Sequence, residues 1–374
     1  MKNIFYPAIL FLFVLSSCGK EKHQYKKDTD GTAQVRVAND GFPELINLTS
    51  SADSIKIPPI LLNVRKLIAN EKLIIALEIS NKDTLFRVFD SQNSKYLGGF
   101  GFIGPGPLDL EFAQVVPNGL SMKGDTLQVY DIKSLRTYFV DSEKMIRSSS
   151  VTSDMVRLID KKVIPGALMV LNSPIRISES MIYGVKSNGK KHIVSYNSVN
   201  QEIKDTIEYP DFRQDIPPQA LSMLYTSIFK FSEDRKKIAF AYRFFPVVRI
   251  FSFEKSEYLE VVFGAKNDQE KSIKIGPSGR DIDTRNMSTY YSNIEVSNEL
   301  IFASYHEYID EWRDDGTKET KWATKNREIH VYDWGGEPIK KLILPAHVLK
   351  YVPSPSGDKL YFVKPNVEGY IYRY

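Results

Sequence analysis

The 374-residue chain holds a single cysteine, Cys18, so neither an internal disulfide framework nor a cysteine-based metal cluster can be built from it. Its five histidines, His23, His192, His306, His330 and His347, show no i, i+2 or i, i+4 pairing of the kind that holds a metal. "HEYIDEW" at 306–312 starts like the zinc motif H-E-x-x-H but lacks the second imidazole, and it lies in a strand-like pattern. The nucleophile elbow G-x-S-x-G is absent, and "GPSGR" at 276–280 matches only the tail of a phosphate-binding loop. No basic stripe interleaved with aromatics is present. The 50 Lys and Arg are scattered among 46 Asp and Glu for a net charge of +4, which argues against nucleic acid as a partner. Long helical periodicity is nearly absent; "PPQALSMLYTSIF" at 217–229 has room for one short helix.

What is present favours β-structure. Aromatics make up 12% of the chain, with 21 Tyr and 21 Phe, residues that suit a half-buried pleated surface. From residue 45 onward, short alternating or apolar runs are separated by turn residues. "KLIIALEI" pairs with "TLFRVFD" and is followed by "KYLGGFG"; "DTLQVYDI" pairs with "TYFVDS"; "MIYGVKS" and "HIVSYNS" flank Asn188-Gly189, a strong hairpin signal. "KIAFAYRFF" with "VVRIFSFE", "LIFASYHEYI" with "EIHVYDW", and "KLYFVKPN" with "GYIYRY" complete six units. Six β-units with no Pro-, Gly- or Ser-rich linker between them predict one all-β domain over 45–374, a six-bladed β-propeller whose radial repetition protects its strand edges. A pair of irregular β-sandwiches is the alternative architecture.

The N-terminus has its own logic. "MKNIFYPAILFLFVLSSCGKEKHQ" carries Lys2, an apolar run from Ile4 to Leu15, and small residues before Cys18. The run is shorter than the roughly 20 residues that span a bilayer, and it suits the h-region of a secretory signal. "LSSC" resembles the lipobox of bacterial lipoproteins. That resemblance implies removal of residues 1–17 as a signal peptide and diacylation of Cys18, with palmitate-type chains as the membrane anchor. Residues 18–44 would then be a lipidated, flexible tether. Gly19 after the cysteine favours the outer membrane by the same resemblance, and "KEK" at 20–22 only partly matches a surface-export signal, so periplasm-facing and surface-facing placements both stay open.

Three stretches together resemble the TolB-like six-bladed propeller lipoproteins of the Bacteroidetes. "GFGFIGPG" at 99–106 is similar to that group's G-x-x-G-x-G-P-G element, with Gly101, Gly104, Pro105 and Gly106 as a structural blade connection. "YTSIFKFSEDRKKIAFAYRFFPVVRIFSF" at 225–253 is similar to its central blade, although Ser232-Glu233-Asp234-Arg235 replaces the usual Ser-Pro-Asp-Gly turn. "REIHVYDWGGEPIKKLIL" at 327–344 is similar to its late blade, with Pro345 where the group commonly carries Asp. The resemblance implies an envelope lipoprotein with a binding or scaffold role.

The same glycines spell G-x-G-x-x-G at 99–104, but a dinucleotide loop needs a strand before it and a helix behind it, and Pro105 and Pro107 follow at once. No cofactor is expected. Asp131, Asp141 and Asp333 follow aromatic strands and are candidates for channel acids, against the plainer role of capping a turn. The charged connection "DEWRDDGTKETKWATK" at 310–325 carries Trp312 and Trp322, which with Trp334 are candidate partner contacts. Ser54, Thr84, Thr126 and Thr206 stand in Asp-Ser/Thr-aliphatic triplets that resemble sites of O-glycosylation in exported Bacteroidetes proteins. The sequence therefore predicts a lipid-anchored, monomeric propeller that binds a protein or glycan without catalysis. A polysaccharide-cleaving enzyme using channel carboxylates is the alternative.

Overall fold

The strand Leu73–Glu78 shows how the sequence makes the fold. Leu73, Ile75 and Leu77 pack into one hydrophobic cluster with Leu120, Leu127 and Tyr138, while Ile74 and Ala76 pack into another with Val352, Tyr361 and Ile371. Successive side chains of a strand point to opposite faces. Here both faces are buried, each against a different neighbouring sheet, so the strand reads as an unbroken apolar run.

The computed structural model describes residues 23–27, 32–48, 53–56, 64–78, 84–92, 95–101, 115–131, 136–141, 144–145, 156–160, 171–178, 180–186, 191–209, 216–264, 273–276, 282–285, 287–313, 315–322, 327–345, 348, 350–363 and 370–374. Six antiparallel sheets form the blades, each numbered here from its inner strand outward. Blade I is Val64–Ala69, Leu73–Glu78, Phe86–Asp90 and Tyr96–Phe100; blade II is Val115–Lys123, Thr126–Asp131, Arg136–Asp141 and Val156–Asp160. Blade III is Leu171–Arg176, Met181–Lys186, Lys191–Asn197 and Glu202–Glu208; blade IV is Ser227–Phe231, Lys237–Tyr242, Val247–Ser252 and Glu257–Phe263. Blade V is Ser288–Val296, Leu300–Trp312, Glu328–Asp333 and Pro338–Ile343. Blade VI takes Lys350–Pro353, Leu360–Val363 and Tyr370–Arg373 from the C-terminus and Asp53–Lys56 from the N-terminal region as its fourth, antiparallel strand. That last pairing closes the ring with backbone hydrogen bonds, so no blade is left with an unpaired end of the chain.

Inner strands lie side by side around a central channel, and apolar clusters fill the wedges between blades I and II, III and IV, IV and V, V and VI, and VI and I. The short helix expected at 217–229 is present as Pro218–Leu224, leading into blade IV. The predicted six-bladed, all-β architecture is thus the one observed.

One difference concerns the segment expected to be a tether. Ala33–Val37 adds in parallel to the outer edge of blade IV, followed by His23–Lys27, and Leu45–Asn47 adds to blade V. Val35 and Val37 are fully buried, so part of 18–44 is fixed to the body by the apolar alternation in "AQVRV". Cys18 lies outside the described residues.

Candidate functional site

In five of the blades the inner strand ends in a turn whose first residue caps the backbone of the next strand. The Asn70 carboxamide oxygen accepts the amides of Lys72 (3.0 Å) and Leu73 (2.7 Å). Hydroxyls do the same elsewhere: Ser178 for Met181 (3.2 Å), Ser232 for Lys237 (3.0 Å), Ser297 for Leu300 (3.1 Å) and Ser354 for Lys359 (3.1 Å). Short polar side chains that bond their own backbone are what such turns require. Blade II turns at Gly124, with φ +53°. The strand ends and turns of blades I, II, IV, V and VI converge on one end of the channel and enclose a cavity of about 300 Å³.

Charge is concentrated inside it. Glu295, on the inner strand of blade V, is 4% exposed and ion-paired with Lys66 of blade I and with Lys230 of blade IV (3.3 Å). Burial, together with the nearby Lys230 charge and against the pull of Glu295, lowers the Lys66 ammonium to about 7. Lys350 of blade VI is also held below its ordinary value, mainly by burial, with Arg65 and Arg327 adding repulsion. Two ammonium groups therefore share one carboxylate, in surroundings that solvate none of them well.

Arg235 is the least expected member. It has φ +62°, in the left-handed region that disfavours a side chain. The turn Ser232–Lys237 matches Ser354–Lys359 of blade VI in its backbone hydrogen bonds and its serine cap. Amide 235 donates to the Ser232 carbonyl (3.0 Å) as amide 357 does to Ser354 (2.9 Å), and amides 232 and 354 donate to the carbonyls of Lys237 and Lys359. The second turn puts Gly357 (φ +76°) where the first puts Arg235. The Arg235 guanidinium lies over the Phe231 ring (5.9 Å), and its Nε is buried with no hydrogen-bond partner among the described residues. Burial lowers the affinity of this group for its proton, opposed by Glu233.

None of Asp131, Asp141 and Asp333 lies on an inner strand, and of the two roles open to them turn capping is the one seen for Asp141 and Asp333. Asp131 lies on the second strand of its blade, and Asp141 and Asp333 lie on third strands. Asp141 accepts the Lys144 amide (3.3 Å), and Asp333 accepts the amides of Gly335 (2.8 Å) and Glu337 (2.9 Å), which is the turn-capping role. Inner-strand position is what selects Glu295.

The three tryptophans do not form one surface. Trp312 and Trp322, 47% and 53% exposed, sit on a hairpin in which Lys318–Trp322 pairs with the outer half of Leu300–Trp312. Trp322 stacks on His306 (4.2 Å), and exposed ion pairs Arg313–Glu319 and Lys321–Glu311 line the same hairpin. Trp334 is half-buried against the core between blades IV and V. His192 and His330 are buried among aromatic rings, and among the described residues no group of three or more His, Cys, Asp or Glu could hold a metal ion.

Gly99 lies in the outer strand of blade I, and Gly101 follows it with φ +78°, its carbonyl accepting the Leu85 amide (3.0 Å). The first half of G-x-G-x-x-G thus belongs to a strand and its exit; Gly104, Pro105 and Gly106 lie outside the described residues. Thr84 is half-buried beside Gly99, and Thr126 opens the second strand of blade II. Ser54 and Thr206 lie on outermost strands of blades VI and III, where only their backbone is described.

The family model described as TolB-like 6-blade propeller-like matches residues 64–353. A solved member of the DUF4221 family from Bacteroides vulgatus superposes with TM-score 0.53 at 10% identity, covering 94% of this chain and 97% of that one. A Bacteroides fragilis chain designated an exported protein gives TM-score 0.48 at 10% identity over 87% and 88% of the two chains. At such identity the likeness is one of fold. No curated protein matches the sequence.

Proposed function

The chain belongs to the TolB-like six-bladed propeller family, and from that premise we propose that it is a lipid-anchored envelope protein whose propeller is a non-catalytic binding module for a protein or glycan partner. The partner is engaged at the channel mouth. The observation that carries this reading is the cavity of about 300 Å³ built from the strand ends and turns of five blades, a size at the lower end of ligand pockets. A concave site of mixed polar and apolar lining, presented by rigid strands and short capped turns, is preorganised for binding. The anchor rests on the "LSSC" sequence ending at Cys18 and places the body at the bacterial outer membrane.

Glycoside cleavage in its usual form needs two carboxyl groups flanking one bond, about 5–9.5 Å apart. The buried carboxylate of this cavity, Glu295, is engaged by Lys66 and Lys230. Binding without turnover is therefore the favoured reading. Asn298 is exposed at the cavity rim, so Asn298→Trp obstructs the mouth without touching the core. Purified protein presented to glycan arrays and envelope extracts is expected to retain a partner that Asn298→Trp loses. Retention by the variant, with loss in a Trp312→Ala/Trp322→Ala double variant, would move the site to the blade V hairpin.

A further inference from the structure

We propose that the channel-mouth cavity recognises an acidic sugar, holding its carboxylate on the Arg235 guanidinium with the Lys66 and Lys230 ammonium groups behind it. The inference rests on the cavity being the binding site and goes further by naming the ligand's chemistry.

Arg235 carries the argument. Its turn superimposes in hydrogen bonding on that of Ser354–Lys359, where glycine occupies the left-handed position. A glycine would relieve the backbone at 235, so the arginine is not there for the turn. What it adds is a planar, five-donor group brought to the cavity wall with its Nε buried and unpartnered and its Nη2 only 3.5 Å from the Ser121 hydroxyl. A fork whose Nε is unpartnered and whose Nη2 makes only one long hydrogen bond, to Ser121, can still take a carboxylate in two-bond geometry.

The surrounding charge agrees. Lys66, Lys230 and Arg235 line the cavity, and Glu295 alone among the described inner-strand side chains there opposes them. Of the rim acids, Asp125 is engaged by Asn70 (3.3 Å) and Lys72 (3.9 Å) and Glu71 by the Ser356 amide (3.3 Å), while Glu233 stands beside Arg235 and is the acid a bound carboxylate has to compete with. These acids disfavour a multiply charged phosphate at the mouth, whereas a singly charged carboxylate meets less repulsion. The remaining polar lining, Ser121, Ser297 and Asn298, suits hydroxyl groups, and about 300 Å³ is space for roughly one sugar ring rather than a length of peptide.

Isothermal titration of the folded protein with a glucuronic acid trisaccharide, a neutral glucose trisaccharide, inorganic phosphate and an acetylated tripeptide with a free C-terminus tests this. The uronate is expected to bind at least tenfold more tightly than the other three. Arg235→Gly is expected to lose at least tenfold for the uronate alone while melting at or above the wild-type temperature, because the turn keeps its blade VI form. Equal affinity for the neutral sugar, or unchanged uronate affinity in Arg235→Gly, overturns the proposal. So does phosphate or peptide binding as tightly as the uronate, or none of the four binding. Asn298→Trp separates the two levels: if the wild type binds neutral and acidic sugars equally and the variant loses both, the cavity is the site and only the acidic preference is refuted. If uronate binding survives it, the cavity reading falls as well.

Discussion

Lys66 of blade I and Glu295 of blade V meet inside the channel across 229 positions of sequence, bypassing the blade between them. Lys230 of blade IV reaches the other carboxylate oxygen at 3.3 Å, so three blades are tied to one buried acid. Removing that acid strands two ammonium groups in a poorly solvated place. Glu295→Gln is expected to cost about 3 kcal/mol, and Lys66→Met less, because Lys230 still neutralises Glu295. Urea unfolding of the two variants checks the order; a milder loss in Glu295→Gln would show that the channel solvates these charges.

The same lysine sets a dependence on alkaline pH. Its folded value of about 7 lies below the ordinary 10.5, so the unfolded chain holds more protons between those limits. Stability therefore rises with pH from about 7 toward 10.5, and the full penalty is present below about 7. The urea midpoint is expected to increase between pH 7 and pH 9, and Lys66→Met to flatten that rise.

Acid acts on different groups. His192, beside Arg249 and stacked on Tyr209, is lowered by burial to about 3, and His330, stacked on Tyr305, to about 4 despite Glu328. Both are neutral in the fold and bind protons only when it opens, so stability falls as pH drops from about 6.5 toward 3–4. Each contributes a loss of about 1.4 kcal/mol per pH unit in that window. Unfolding midpoints at pH 6.5 and pH 4.5 measure it, and His192→Phe, which keeps a flat ring among aromatics, is expected to reduce the slope.

The glycine motif makes a structural prediction. A methyl group on Gly99 would stand 2.7 Å from the Phe86 carbonyl oxygen, and one on Gly101 would stand 2.8 Å from the Phe86 ring on a backbone with φ +78°. Gly99→Ala and Gly101→Ala are each expected to cost about 2 kcal/mol by crowding and strain. Thermal melts check this, and NAD or ATP at millimolar concentration is expected to leave the midpoint of the wild type unchanged. Nucleotide protection would restore the reading of these glycines as a phosphate cradle.

Which strands were legible follows from where they lie. The paired runs read along the sequence, "KLIIALEI" with "TLFRVFD" through "KLYFVKPN" with "GYIYRY", are the second and third strands of the six blades. Those strands are sandwiched between neighbouring blades, and burial on both faces leaves an apolar signature. Inner strands such as "VRKLIA", "SIFKF" and "KYVP" place lysines on the channel, which breaks that signature and hides them. For the same reason the cavity was not legible. Lys66, Lys230 and Glu295 are ordinary charged residues until the ring brings them together from three blades. A usable signal did exist: Asn70, Ser178, Ser232, Ser297 and Ser354 each stand three to six residues before the Leu, Met or Ile that begins or soon enters a second strand. Aligning those turns would have set Arg235 against Gly357 and marked it as anomalous. An aromatic strand ending in Asp describes outer turns as well as channel walls, so the sequence leaves both roles open for Asp131, Asp141 and Asp333, and the structure shows turn capping at Asp141 and Asp333.

A partner held at the channel mouth must cover the turns that ring it. Hydrogen exchange with and without a captured partner tests it most directly. Protection is expected at the turns around Asn70–Lys72, Gly124–Asp125, Ser232–Lys236, Ser297–Glu299 and Ser354–Asp358 together, since these five turns ring one cavity. Protection confined to the 312–322 hairpin, with the five turns exchanging as in the free protein, would contradict it.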